Sequence, residues 1–262
     1  MTMSTAAVSP AVRPSIRRPS RLSPTKLFYP AVSALLVVLT AIGFRHFYFQ
    51  GLSHPGRPIT PPIRGLIITH GIIMTAWLLL FLVQPLLIAT GRRKLHMKLG
   101  VLGIALAAAV LLSGLFLAVN SARVAPPDQL IWGLTPRQFM TVPFCASLLF
   151  ATFVGLGLWF RRRPDIHRPM MLTGTMAAMA APISRIDPIS GLYLGTAWES
   201  LFGPFFATQV LFAVLLVVRC AVARAFDRWF AAGFAVLTLA CLGVMRLAPT
   251  QAWASFTSIL VG

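Results

Sequence analysis

Histidine can ligate iron, hold a quinone headgroup or carry a proton near neutral pH. Five occur in the 262 residues: His46, His54, His70, His96 and His167. His70 heads a stripe with Met74, Trp77, Phe81 and Gln84, at offsets of 4, 7, 11 and 14 residues, which is one face of a helix. Polar groups at two depths of one face are costly against hydrocarbon, so the stripe is expected to face the inside of a bundle. Two roles fit it. Either His70 and Gln84 hydrogen-bond neighbouring helices and hold the packing, or His70 binds heme iron or a quinone in a cavity lined by Trp77 and Phe81.

The other histidines fall at helix ends. His46, in Arg45-His46-Phe47-Tyr48-Phe49, shares an end with His70 and is either a second axial ligand or a member of an interfacial aromatic belt. His96 and His167 each follow a basic cluster at a helix start, Gly91-Arg92-Arg93-Lys94-Leu95-His96 and Arg161-Arg162-Arg163-Pro164-Asp165-Ile166-His167. They share a depth and can pair, or they can contact lipid headgroups. One pair at each end is what a two-heme transmembrane cytochrome with bis-histidine ligation requires. The repeated cluster fits either duplication of a helical hairpin or two copies of one basic anchor. His54 lies in a Pro-rich loop and is assigned no role.

Other chemistry is poorly represented. Met170, Met171, Met176 and Met179 are soft donors of the kind copper(I) prefers, but methionine filling gaps between small residues explains them more simply. Cys145, Cys220 and Cys241 stand singly, without metal-ligand spacing, and read as buried thiols. All five acids, Asp128, Asp165, Asp187, Glu199 and Asp227, fall in loops or at span ends, so no carboxylate relay crosses the bilayer. Arg185 and Asp187 are expected to pair with each other or with Glu199. The last long apolar span lacks the lysine a retinal Schiff base needs. No phosphate loop, nucleophile elbow or zinc-protease motif is present.

These residues need elements to position them, and the composition says which. Hydrophobic residues make up 57% of the chain and charged ones 11%, well under the roughly 25% of a soluble domain. Seven stretches reach the ~20 residues that cross a hydrocarbon core. They are expected at about 28–49, 66–90, 97–119, 138–160, 169–186, 200–220 and 229–247. The fifth is rich in small residues, which suits a central helix shielded from lipid. Residues 1–27 carry five basic residues, four prolines and no acid, and are expected to form a disordered cytoplasmic tail. Residues 248–262 are too short to cross and are expected at the interface.

The charge of +18 follows the same plan. With the N-terminus inside, 16 of the 23 Lys and Arg residues lie on the inner side, and every loop agrees. That places the N-terminus in the cytoplasm and the C-terminus outside. No folded basic domain stands outside the membrane, which excludes nucleic-acid binding as the main role.

The run His70-Gly71, Ala76-Trp77, Gln84, Gly91-Arg92, Leu95-His96 and Leu99-Gly100, followed by Arg161-Arg162-Arg163-Pro164-Asp165-Ile166-His167-Arg168, resembles a pattern in bacterial multi-spanning membrane proteins of no established activity. The resemblance covers about residues 58–187. It implies that His70, His96 and His167 are family features, and it does not extend to His46. Met97 stands where the pattern usually has a basic residue.

The expectation is therefore an all-α, polytopic bundle of about seven spans in a bacterial inner membrane, in contact with lipid. Its leading role is a redox component binding heme b or quinone through His70, His96, His167 and His46. The competing role is a non-catalytic subunit of a larger membrane complex.

Overall fold

A computed structural model describes residues 24–54 and 57–261. The expected basic tail lies mostly outside them. The chain is helical nearly throughout: α1 (Pro24–Gly43), α2 (Arg45–Gln50), α3 (Arg64–Ala89), α4 (Arg93–Val124), α5 (Pro136–Phe139), α6 (Thr141–Trp159), α7 (Pro164–Ala177), α8 (Ala180–Ile183), α9 (Asp187–Ser190), α10 (Ala197–Phe202), α11 (Phe206–Ala223), α12 (Arg228–Leu247) and α13 (Gln251–Val261). One short antiparallel ladder, Leu52–His54 with Arg57–Pro58, follows α2.

Six segments are long and apolar enough to cross a membrane: α1, α3, α4, Pro136–Trp159, Ala197–Ala223 and α12. With α7 and α8 they form the bundle of about seven spans that the sequence predicts. The first predicted span is shorter than expected and starts earlier. It begins at Pro24 and stops at Gly43, where the chain turns into α2. At Gly43 the backbone meets the carbonyl of Pro182 so closely that a Cβ has no room. At 11 residues α13 is too short to cross, and it docks by donating the Trp253 indole N–H to the Arg137 carbonyl at 3.0 Å.

The helices stand where local chemistry starts and stops them. The α3–α4 turn needs Gly91, whose φ of 76° lies in the left-handed region glycine tolerates. Thr135 and Gln138 form a reciprocal capping box at α5, with Pro136 inside the first turn. Asp227 caps α12, accepting from the Phe230 N–H at 3.1 Å. The same carboxylate meets Arg219 at the end of α11 at 3.0 Å, joining the two helices.

At the centre lies α7. Every residue from Leu172 to Ala177 is buried, matching the shielded helix expected from its small residues. Contact is close on several sides: a Cβ at Gly174 would lie 2.9 Å from Val154 on α6, and one at Gly233 on α12 would lie 2.5 Å from Thr173. The outer helices turn apolar side chains outward instead. On α4, Val101, Leu102, Ile104, Leu112 and Phe116 are at least half exposed. Such a surface is unstable in water and suits hydrocarbon.

Candidate functional site

The predicted face of α3 points inward along its length. Trp77 is buried, and His70, Met74, Phe81 and Gln84 are half-buried. His70 Nδ1 lies 2.9 Å from the Ser113 hydroxyl of α4, and its ring packs beside Gly114. Ser113 is the sole hydroxyl between Val101 and Leu117, which is the sequence signal that marks it as the partner. Midway along the stripe, the Trp77 indole N–H donates to Thr175 on α7 at 3.3 Å, and its ring meets Phe150 of α6 edge-on at 4.9 Å. Gln84 is the inner end. Its side-chain amide lies against the His96 ring at Nδ1, the His96 carbonyl at 3.2 Å and the Gly100 N–H at 3.1 Å, and it satisfies the last two with its nitrogen turned to the carbonyl and its oxygen to the N–H. The polar ends of the stripe thus tie α3 to α4 at two depths. The offset of fourteen residues between them spans about 21 Å at 1.5 Å per residue.

The structure brings His96 and His167 together. Their ring centroids lie 6.4 Å apart and their planes cross at 88°. Each ring is tied through Nδ1 to the helix that precedes its own, His96 to Gln84 of α3 and His167 to the Gly157 carbonyl of α6 at 2.7 Å. The two basic hairpins therefore use one device twice: a turn, a histidine in the first turn of the next helix, and an anchor on the previous one. The Gly157 carbonyl carries no side-chain signature, so the sequence gives no sign of it. A Cβ at Gly157 would lie 2.7 Å from the Met171 sulfur, so glycine allows α6 and α7 to approach there. Arg168 lies near enough to act electrostatically on both rings, and it has no carboxylate partner among the described residues.

His46 shares an end of the bundle with His70. Its helix packs on α3 through Phe47 beside Gly71 and through Tyr48, whose hydroxyl lies 2.8 Å from that of Thr75. The His46 ring bonds Gln50 at 2.7 Å, and its Nε2 is enclosed without a partner. Among the described residues, no hydrogen bond or ring contact joins His46 to His70. Beside Tyr48 a cleft of about 260 Å³ opens between α1 and α3, lined by Val37, Thr40, Thr75 and Leu78 among others.

One expected ion pair forms differently. Asp187 pairs with Arg45 at 3.0 Å, because α2 carries that arginine across to the start of α9. Arg185 turns back to the Ala181 carbonyl at 2.7 Å and stacks on Phe44 at 4.9 Å. Glu199 accepts from the Gly195 N–H at 2.6 Å. The pairing residue was missed because it lies 142 positions away. Among the described residues, no group of three or more His, Cys, Asp or Glu side chains could hold a metal ion.

Compared with known proteins, the chain matches no family model, no curated protein and no solved structure.

Proposed function

We propose that this membrane protein is a redox component of a bacterial inner membrane, binding heme b or a quinone headgroup at its histidines. The observation that carries the reading is the meeting of His96 and His167, two rings anchored through Nδ1 and held 6.4 Å apart at one depth. Anchoring one ring nitrogen orients the other toward an occupant, as outer-shell partners do for ligating histidines. The His167 ring suits a metal ligand, because a carbonyl at Nδ1 leaves the Nε2 lone pair free. Bound heme would supply one-electron chemistry, and the chain's residues would orient it and exclude water. His70, with His46 at the same end, is the second contact. The enclosed, unpartnered Nε2 of His46 supports a polar occupant there.

The orientation rests on charge. An inner side holding 16 of 23 basic residues supports an orientation with the N-terminus and the His96–His167 pair toward the cytoplasm and the C-terminus outside.

The test is a dithionite-reduced minus oxidised spectrum of the purified protein, with extraction and chromatography of copurifying quinone. A shifted Soret band or a stoichiometric quinone is expected. His70→Ala or His96→Ala should lower that cofactor content while the protein still accumulates in the membrane. Protein from heme-replete cells with neither cofactor overturns the proposal. Copurification with a larger assembly would then favour the accessory-subunit role.

A further inference from the structure

Whichever cofactor the histidines take, we infer that the basic end of the bundle carries a headgroup site for an anionic phospholipid, centred on Arg93 of α4 and Arg168 of α7. Both arginines are exposed and stand in the first two turns of their helices. They belong to different hairpins, yet both act electrostatically on the His96 ring, and Arg168 acts on Tyr29 of α1 as well. The starts of three helices thus share one positive patch.

The protein gives this patch no counter-charge. Among the described residues two acids lie at this end, and each is engaged: Asp165 with Arg163 at 3.2 Å, and Asp227 with Arg219 at 3.0 Å. Arg93 and Arg168 form no ion pair among the described residues. The helix α4 adds to the imbalance. Its N-cap is Arg92, with no side-chain hydrogen bond, and Arg93 and Lys94 follow with no acid in the first turn. Cations at the positive end of a helix dipole are repelled by it, and two arginines near one imidazole repel each other. A phosphate held by both arginines relieves these repulsions and gives each guanidinium a charged hydrogen-bond acceptor.

The surface beyond the cations says what carries the phosphate. Leu95, Met97, Val101 and Leu102 continue along α4 from Arg93, and all four are exposed. A headgroup at Arg93 lays its acyl chain on these side chains. A dissolved anion or an acidic peptide would meet the cations and leave the apolar side chains uncovered. Charge and hydrocarbon on one helix, in that order, match an amphiphile.

The full chain in a neutral detergent, titrated with phosphatidylglycerol and with phosphatidylcholine of the same acyl chains, tests this, with native mass spectrometry counting the lipids bound. Phosphatidylglycerol should bind in preference. Arg93→Gln and Arg168→Gln should each weaken it about fivefold and leave phosphatidylcholine unchanged. Arg64→Gln removes the same charge from the start of α3, at the opposite end of the bundle, and should change neither. The unaltered protein gives a check that needs no variant, since raising the ionic strength should erase the preference. Equal binding of the two lipids overturns the inference. So do equal losses in all three variants, which would assign the preference to net charge alone. Inorganic phosphate that displaces phosphatidylglycerol at matched concentration would mark a site for the free anion and overturn it too.

Discussion

Trp77 donates its indole N–H to the hydroxyl of Thr175, 98 residues away, and so fastens α3 to the central helix. Its ring meets Phe150 edge-on, which brings α6 into the same contact. Trp77→Phe keeps most of the ring and loses the bond, and is expected to cost about 1 kcal/mol. Trp77→Ala also opens a cavity and is expected to cost about 3–5 kcal/mol. Thermal unfolding in detergent measures both. Equal losses would show that packing contributes nothing at this position.

Close approach of α6 and α7 gives a paired experiment. At Gly174 an added Cβ would lie 2.9 Å from the Val154 side chain and 3.2 Å from its backbone nitrogen. At Gly155, on α6, an added Cβ meets nothing within 4 Å. Gly174→Ala is expected to destabilise by about 1–3 kcal/mol. Gly155→Ala should be neutral or slightly stabilising, since alanine is the better helix former. The reverse ranking would mean that the two helices do not pack as described.

Arg219 and Asp227 hold the turn between α11 and α12. The pair is mostly buried, with 18% and 11% of the side chains exposed, and Asp227 also caps α12. Arg219 lies over the rings of Phe28 and Tyr29, at 5.6 and 5.5 Å, so α1 shares the contact. Asp227→Ala removes both the ion pair and the cap and is expected to cost about 2–4 kcal/mol. A double-mutant cycle with Arg219→Met should show coupling above about 0.5 kcal/mol. Additive losses would show that the carboxylate acts through the cap alone.

Tyr193, in the turn between α9 and α10, offers a pH test. It is almost fully buried, stacked on Trp132, and its hydroxyl has no partner among the described residues. Burial, with a smaller push from the Glu199 charge, raises its pKa from 10.0 to about 12. The folded state holds this proton more tightly than the unfolded state. Its contribution is therefore complete below pH 10 and is lost as pH rises from 10 to about 12. Tyr193→Phe should remove that part of the alkaline loss of stability and cost little at neutral pH, where no hydrogen bond is given up. A variant with an unchanged alkaline profile would assign the loss to other groups.

Much of this architecture was legible in the chain because hydrocarbon imposes simple rules. Apolar length marked the spans, and the 4, 7, 11 and 14 spacing from His70 found the face of α3 that turns inward. The burial of α7 followed from its small residues. The pairing of His96 with His167 followed from two histidines at equal depth. The anchors did not follow. The Gly157 carbonyl is backbone, with no side-chain signal, and Ser113 stands out only once α4 is known to face His70. The break after Gly43 was missed because nothing in its own segment announces it. The close approach of the Pro182 carbonyl to Gly43 is likewise something only the folded bundle brings there.

The enclosure of α7 bears on how the protein is made. Its segment carries Asp165, His167, Arg168, Thr173 and Thr175, and at 14 residues it is not among the helices both long and apolar enough to cross a membrane by themselves. A nascent segment of that kind partitions poorly into lipid when it leaves the insertion channel alone. Trp77 of α3 bonds its Thr175 and the Gly157 carbonyl of α6 meets its His167, both on helices synthesised before it, and its Thr173 face is covered by α12, which is synthesised after. Insertion of this helix is therefore a cooperative event, in which earlier helices receive α7 and the last long one seals it from lipid.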